Sequence, residues 1–157
     1  MNPSLNNDMT YMQEALKAAE HAEMCGEVPV GAVLVQNQRI IGTAHNQTIT
    51  QCDPTAHAEI LLLRLAAKQL KNHRLLGTTL YVTLEPCLMC MGAMIHARIK
   101  RLVFGAYDPR LGATRLHLLQ TKGLNHSFEF TDGLLASRCA EKLQRFFKQK
   151  RHLTKVD

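Results

Sequence analysis

The run Thr78-Thr79-Leu80-Tyr81-Val82-Thr83-Leu84-Glu85-Pro86-Cys87-Leu88-Met89-Cys90 decides the fold class, because its character changes midway. Thr78 to Leu84 is rich in β-branched and aromatic residues and reads as a strand. Pro86 is suited to opening a helix, and one is expected over about 87–97. Arg101 to Ala106 reads as another strand. Upstream, Val30 to Val35 and Ile40 to Ala44 are short β-rich runs around Gln36-Asn37-Gln38-Arg39, which predicts a hairpin. Asp53-Pro54 reads as an N-cap followed by Pro at the first helical position, with a helix to about Gln69 carrying His57 and Glu59 in its first turns. Residues 9–24 read as a helix with Met12, Ala15, Leu16 and Ala19 on one face, a Thr10/Gln13 capping box and a stop at Gly26.

Downstream, residues 110–121 read as loop and a short helix, and 128–130 as a short fifth strand. Leu134 to about His152 reads as an amphipathic helix with Leu135, Cys139, Leu143 and Phe146 on one face. Strands alternating with helices imply an α/β layer structure. No repeat, low-complexity tract or linker interrupts the chain. One domain over 1–157 is expected, with a flexible tail from about residue 150.

Composition supports a globular chain. Its 157 residues are 46% hydrophobic and 20% charged, enough to bury a core and outside the range of disordered chains. There is no Trp and only 5% aromatic residues, so the core must be largely aliphatic. Met89, Met91 and Met94 read as core filling. Met1 to Asp8 has no basic, apolar leader pattern, and Ile60 to Ala67 is interrupted by Arg64 and too short to span a bilayer. A cytoplasmic protein with no membrane association is expected. The net charge of +6 is concentrated near the end, in Lys142, Arg145, Lys148, Lys150, Arg151 and Lys155 against Asp157 alone. Such a patch is the footprint of a polyanion-binding surface.

Two short segments carry the chemistry: His57-Ala58-Glu59 and Pro86-Cys87-Leu88-Met89-Cys90. Together they supply one imidazole, two thiols and a spare carboxylate. Three ligands with an open fourth position are the pattern of a catalytic zinc site, whereas structural sites take four. Cys87 and Cys90 are three apart and share one side of a helix, while His57 and Glu59 are two apart and do not. That spacing leaves Glu59 as a base rather than a ligand. Helix N-termini also favour thiolate. A competing reading makes Cys52 a fourth, structural ligand, and another makes Glu59 a solvated helix carboxylate. Cys25, Cys52 and Cys139 otherwise read as small buried apolar residues. His96 and His117 are assigned no role.

The pattern His-Ala-Glu followed by Pro-Cys-x-x-Cys is the signature of zinc nucleobase deaminases. The flanking runs Glu27 to Val33, Asp53 to Ile60, Thr83 to Arg98, Leu102 to Ala106 with Asp108, and Leu124 to His126 resemble the bacterial tRNA-specific adenosine deaminases over about residues 10–150. One departure is Gly112-Ala113-Thr114-Arg115-Leu116, where the family often has a Gly-Ala-Ala-Gly-Ser stretch. The resemblance implies a three-layer α/β/α cytidine deaminase-like fold with a mixed five-stranded sheet. It implies one zinc ion per subunit, a homodimer, no organic cofactor, and hydrolysis of adenosine to inosine at the wobble position in the anticodon arm of an arginine tRNA. His57, Cys87 and Cys90 match the family's zinc ligands, Glu59 its proton shuttle and Asn46 a nucleoside contact. Phe146 and Phe147, with Lys148 and Arg151 after them, match its RNA-facing last helix. Two alternatives remain at this point: a free nucleobase or nucleoside deaminase acting on guanine or cytosine, and a non-catalytic zinc module that binds RNA.

Overall fold

The computed structural model describes residues 3–117 and 123–153, with side chains from residue 7 onward. The end of the expected segment 110–121, together with Lys155 and Asp157, lies outside the described residues. In chain order the elements are α1 (Pro3–Met24), β1 (Gly31–Gln36), β2 (Arg39–His45), α2 (Ala58–Leu70), β3 (Thr78–Leu84), α3 (Leu88–Ala97), β4 (Arg101–Ala106), β5 (Glu129–Thr131) and α4 (Ala136–Leu153). The strands form one sheet in the order β2-β1-β3-β4-β5. β1 runs antiparallel to β2 and β3, and β3, β4 and β5 are parallel, so the sheet is mixed as expected.

Strand alternation divides the core in two. Ala32 and Leu34 of β1, Leu80 and Val82 of β3, and Leu102 and Phe104 of β4 face one side, where Leu62 and Ala66 of α2 and Met94 of α3 cover them. Val33, Val35, Tyr81 and Val103 face the other side, under Met12, Ala15 and Leu16 of α1 and Cys139 of α4. Both faces are buried, which gives the three layers. Two glycines set the closeness of the second layer. A Cβ on Gly31 would collide with the α1 backbone at Ala15 and Ala19, and one on Gly105 would collide with Cys139 of α4. A buried polar staple fixes α1: Asp8 accepts from the Tyr81 hydroxyl at 2.6 Å and from both Arg101 guanidinium nitrogens at 3.0 and 2.7 Å.

Some expectations hold and others are corrected. The β1–β2 hairpin forms, with Asn37 and Gln38 both at positive φ, the conformation a two-residue hairpin turn requires. α1 begins at Pro3, so Thr10 lies within the helix and no capping box starts there. α4 starts at Ala136, because Leu135 holds a left-handed φ of 54° that is not helical. Residues 110–117 form turns without a helix. Cys139 is buried, but Cys25 and Cys52 are exposed, one in the turn after α1 and the other in the loop before α2. No helix among the described residues is long and apolar enough to cross a membrane.

Candidate active site

The C-terminal end of β3 and the N-termini of α2 and α3 open onto one cleft of about 810 Å³. A crevice outside the carboxyl ends of the strands is the usual ligand position in an α/β sheet. His57, Glu59 and Cys87 line its floor, and the fully buried Cys90 lies against them.

Each metal-capable side chain is set by a local backbone decision. Cys87 is the N-cap of α3 and His57 the N-cap of α2, both extended, and neither side chain caps its own helix. α2 therefore begins at Ala58, not at Pro54 behind an Asp53 cap as expected. The Asp53 carboxylate accepts the Thr55 N–H at 2.8 Å and the Thr55 hydroxyl at 2.7 Å, closing a turn instead of starting the helix. The cap comes from a distance: Asn46 Oδ1 accepts the Ala58 N–H at 2.9 Å. Asn46 is thereby oriented in the cleft wall with its amide NH₂ as the group left to donate. Because His57 precedes the helix, its spacing from Glu59 is not a helical offset, and both residues face the cleft.

The three donor atoms form a small triangle. His57 Nδ1 lies 3.7 Å from Cys87 Sγ and 3.5 Å from Cys90 Sγ, and the two sulfurs are 3.7 Å apart. Tetrahedral bonds of about 2.3 Å to sulfur and 2.0–2.1 Å to nitrogen predict edges of roughly 3.8 and 3.6 Å. The donor set and its spacing thus fit zinc. Cys52 is exposed and directed at the Ile49 carbonyl, and the metal-capable group comprises His57, Cys87 and Cys90 without it. This geometry is that of a three-ligand site.

The electrostatics agree. The Cys87 thiol pKa falls to about 4, first because of its hydrogen bond with Cys90 and then because of the one with His57. Cys90 is pushed strongly upward by that thiolate neighbour and by burial. The lowered Cys87 pKa favours a thiolate there, and the Cys90 proton must leave when a metal binds. The same thiolate raises His57. Burial pushes Glu59, only 4% exposed, up to about 7, a value suited to exchanging protons near neutrality.

The cleft walls rest on two carboxylates to which the sequence reading assigned no role. Glu27, fully buried, accepts the Ile49 N–H at 3.2 Å, the Thr50 N–H at 2.6 Å and the Thr50 hydroxyl at 2.5 Å, and so holds the segment between Asn46 and His57. Glu85 accepts the Asp108 N–H at 2.9 Å, the Thr114 N–H at 2.6 Å and the Thr114 hydroxyl at 2.5 Å. The sequence signal was weak: each Glu stands within two residues of a Pro, at Glu27-Val28-Pro29 and Leu84-Glu85-Pro86.

α4 forms the remaining wall. Leu143, Gln144, Phe147, Lys150 and Arg151 line the cleft. Phe146, expected at the substrate with Phe147, turns inward instead: it is buried and meets Phe147 edge to face at 5.5 Å. Of the two rings, Phe147 alone lines the cleft. Lys148 is exposed and stands outside the cleft lining. Lys142 and Arg145, counted with the basic tail, are tied to α1 through Glu20 and Glu23, each at 2.8 Å.

Comparison with known proteins agrees with this site. The family model of MafB19-like deaminases matches residues 6–151. The tRNA-specific adenosine deaminase of Haemophilus influenzae is 53% identical over 153 residues, covering 96% of this chain and 88% of that protein. The tRNA-specific adenosine deaminase of Bacillus subtilis is 47% identical over 154 residues, covering 97% and 96%. A structure solved in studies of A-to-I editing by tRNA deaminases at the wobble position of transfer RNA superposes with a TM-score of 0.82 at 43% identity, covering 85% of this chain and 99% of that one. With the fold, the His-Cys-Cys triangle and near-full-length identity in agreement, the chain belongs to the tRNA-specific adenosine deaminase family.

Proposed function

We propose that this chain catalyses hydrolytic deamination of adenosine to inosine at the wobble position of a tRNA, with an arginine tRNA as the expected substrate. The observation that carries the proposal is the His57, Cys87 and Cys90 triangle beside the buried Glu59, on the floor of a cleft walled by a basic helix. His57 Nδ1 and the two Sγ atoms would hold one zinc ion per subunit. A zinc ion there supplies Lewis acidity that brings the pKa of water down to about 7. Glu59 accepts the water proton, delivers it to N1 of the adenine as oxygen adds to C6, and assists the departure of ammonia from C6. Water and adenosine thus become inosine and ammonia. The Asn46 amide donates to the flipped-out nucleoside.

Phe147 offers a surface for a neighbouring base, and Lys148, Lys150 and Arg151 approach the phosphates of the anticodon arm. Anticodon-loop bases are already unpaired, so extruding one costs little. The active unit is a single domain, acting as a homodimer in the cytoplasm. Purified zinc-loaded protein incubated with total tRNA should produce inosine at wobble adenosine, read by sequencing as an A-to-G change. Deamination of free guanine, cytosine or nucleosides with no effect on tRNA would replace this reading with that of a free-base enzyme.

A further inference from the structure

We propose that Glu85 is a positioning residue for the RNA substrate, holding segment 107–114 as a preformed wall of the cleft. The assignment rests on the tRNA deaminase reading above. Glu85 joins the end of β3 to Pro86 and Cys87 and is only 3% exposed. Its two carboxylate oxygens divide the work: Oε2 accepts the Asp108 N–H at 2.9 Å, while Oε1 accepts the Thr114 N–H at 2.6 Å and the Thr114 hydroxyl at 2.5 Å. The two ends of a surface loop are thus drawn to one buried group. The backbone continues the clamp, with Glu85 N–H donating to Ala106 O at 2.8 Å and Ala113 N–H to Pro86 O at 3.1 Å. Gly112 lies so close that a Cβ there would collide with the Glu85 carboxylate.

Inside the clamp, the Asp108 carboxylate accepts the Arg110 N–H at 2.9 Å, shaping the turn that places Asp108, Pro109, Arg110 and Leu111 along the cleft. This wall adjoins the floor residue Cys87 and brings a cation, Arg110, and the exposed Leu111 to the rim. A loop with these side chains and no regular secondary structure would be costly to order on each binding event. The Glu85 clamp meets that cost during folding. The departure at Gly112 to Leu116 falls within and just beyond this segment, and Thr114 there supplies two of the three donors.

Steady-state kinetics on an anticodon stem-loop RNA test the proposal, with the wild-type protein as the control for the underlying function. Glu85→Gln puts an NH₂ group against one of the donors and should raise KM about tenfold while changing kcat less than threefold. Zinc content should stay that of wild type. Thr114→Val should raise KM in the same direction, Thr114→Ser should restore it, and the Glu85→Gln/Thr114→Val double variant should be no worse than the Glu85→Gln single variant. Hydrogen exchange of the Asp108 and Thr114 amides should accelerate in Glu85→Gln. Faster exchange with unchanged KM would overturn the proposal by making the clamp purely structural. A fall in kcat with unchanged KM would overturn it by moving Glu85 to the chemistry. If Glu85→Gln loses zinc or fails to fold, Thr114→Val decides: an unchanged KM refutes the positioning role. Absence of RNA deamination by the wild type would refute the underlying function instead.

Discussion

The floor and the walls of the cleft are built in opposite ways. On the floor, the donor atoms of His57, Cys87 and Cys90 sit at the N-termini of two helices, 3.5–3.7 Å apart. The walls are two irregular segments and the face of α4, and the segments are held by single buried carboxylates, Glu27 and Glu85. A rigid floor suits bond-making, which tolerates little misplacement. Walls held at a few points can differ in sequence among enzymes that share one reaction. The floor therefore states the reaction class and the walls state the substrate.

The largest effect should come from the floor. Removing the metal with a chelator, or replacing Cys90 by Ala, should abolish inosine formation, and added zinc should restore activity only in the chelated wild type. Metal analysis beside the tRNA assay checks both; an active Cys90→Ala protein would break the division between floor and walls. Next come the cations of α4. Neutralising Lys148, Lys150 and Arg151 together should weaken RNA binding and reduce the slope of log affinity against log salt by about 2. An unchanged slope would remove α4 from the interface.

A smaller effect is expected at Glu27. Burial alone would raise its pKa, but the bonds donated by Thr50, Ile49 and Thr48 outweigh that and hold it below the ordinary 4.5. A depressed carboxylate contributes stability above its unfolded value and loses it as pH falls through the folded one. Glu27→Gln should therefore cost about 1.5–3 kcal/mol at pH 7, measured by denaturant unfolding. The gap to wild type should narrow only below pH 4.5. A gap that persists unchanged into strong acid would mean the carboxylate charge is not what holds this wall. The smallest effect, none at all, belongs to Cys52→Ala, which should keep full zinc and full activity because Cys52 stands exposed and away from the triangle.

The same contrast explains what the sequence made legible. His57, Glu59, Cys87 and Cys90 could be read because metal ligation and proton transfer demand particular residue types at short spacings. Strand limits were close for a similar reason: alternation in Thr78 to Leu84 is local. The start of α2 was misplaced because its cap is Asn46, twelve positions earlier, and no local pattern reports that bond. Phe146 and Phe147 look equivalent as a pair, and only the packing of α4 on the sheet separates the buried ring from the one in the cleft. Glu27 and Glu85 were unreadable because a lone Glu ordinarily belongs to a solvated surface, and their donors lie 21 to 29 positions away. Lys142 and Arg145 were overcounted as RNA-facing charge because their partners, Glu20 and Glu23, belong to the first helix.

The central claim is that the triangle holds the metal while Glu59 moves the protons. Zinc content and inosine yield measured together on the Glu59→Ala protein test it most directly. About one zinc per subunit with tRNA deamination reduced about 10³-fold or more is the predicted result. Substantial inosine formation by that zinc-loaded protein would contradict the account.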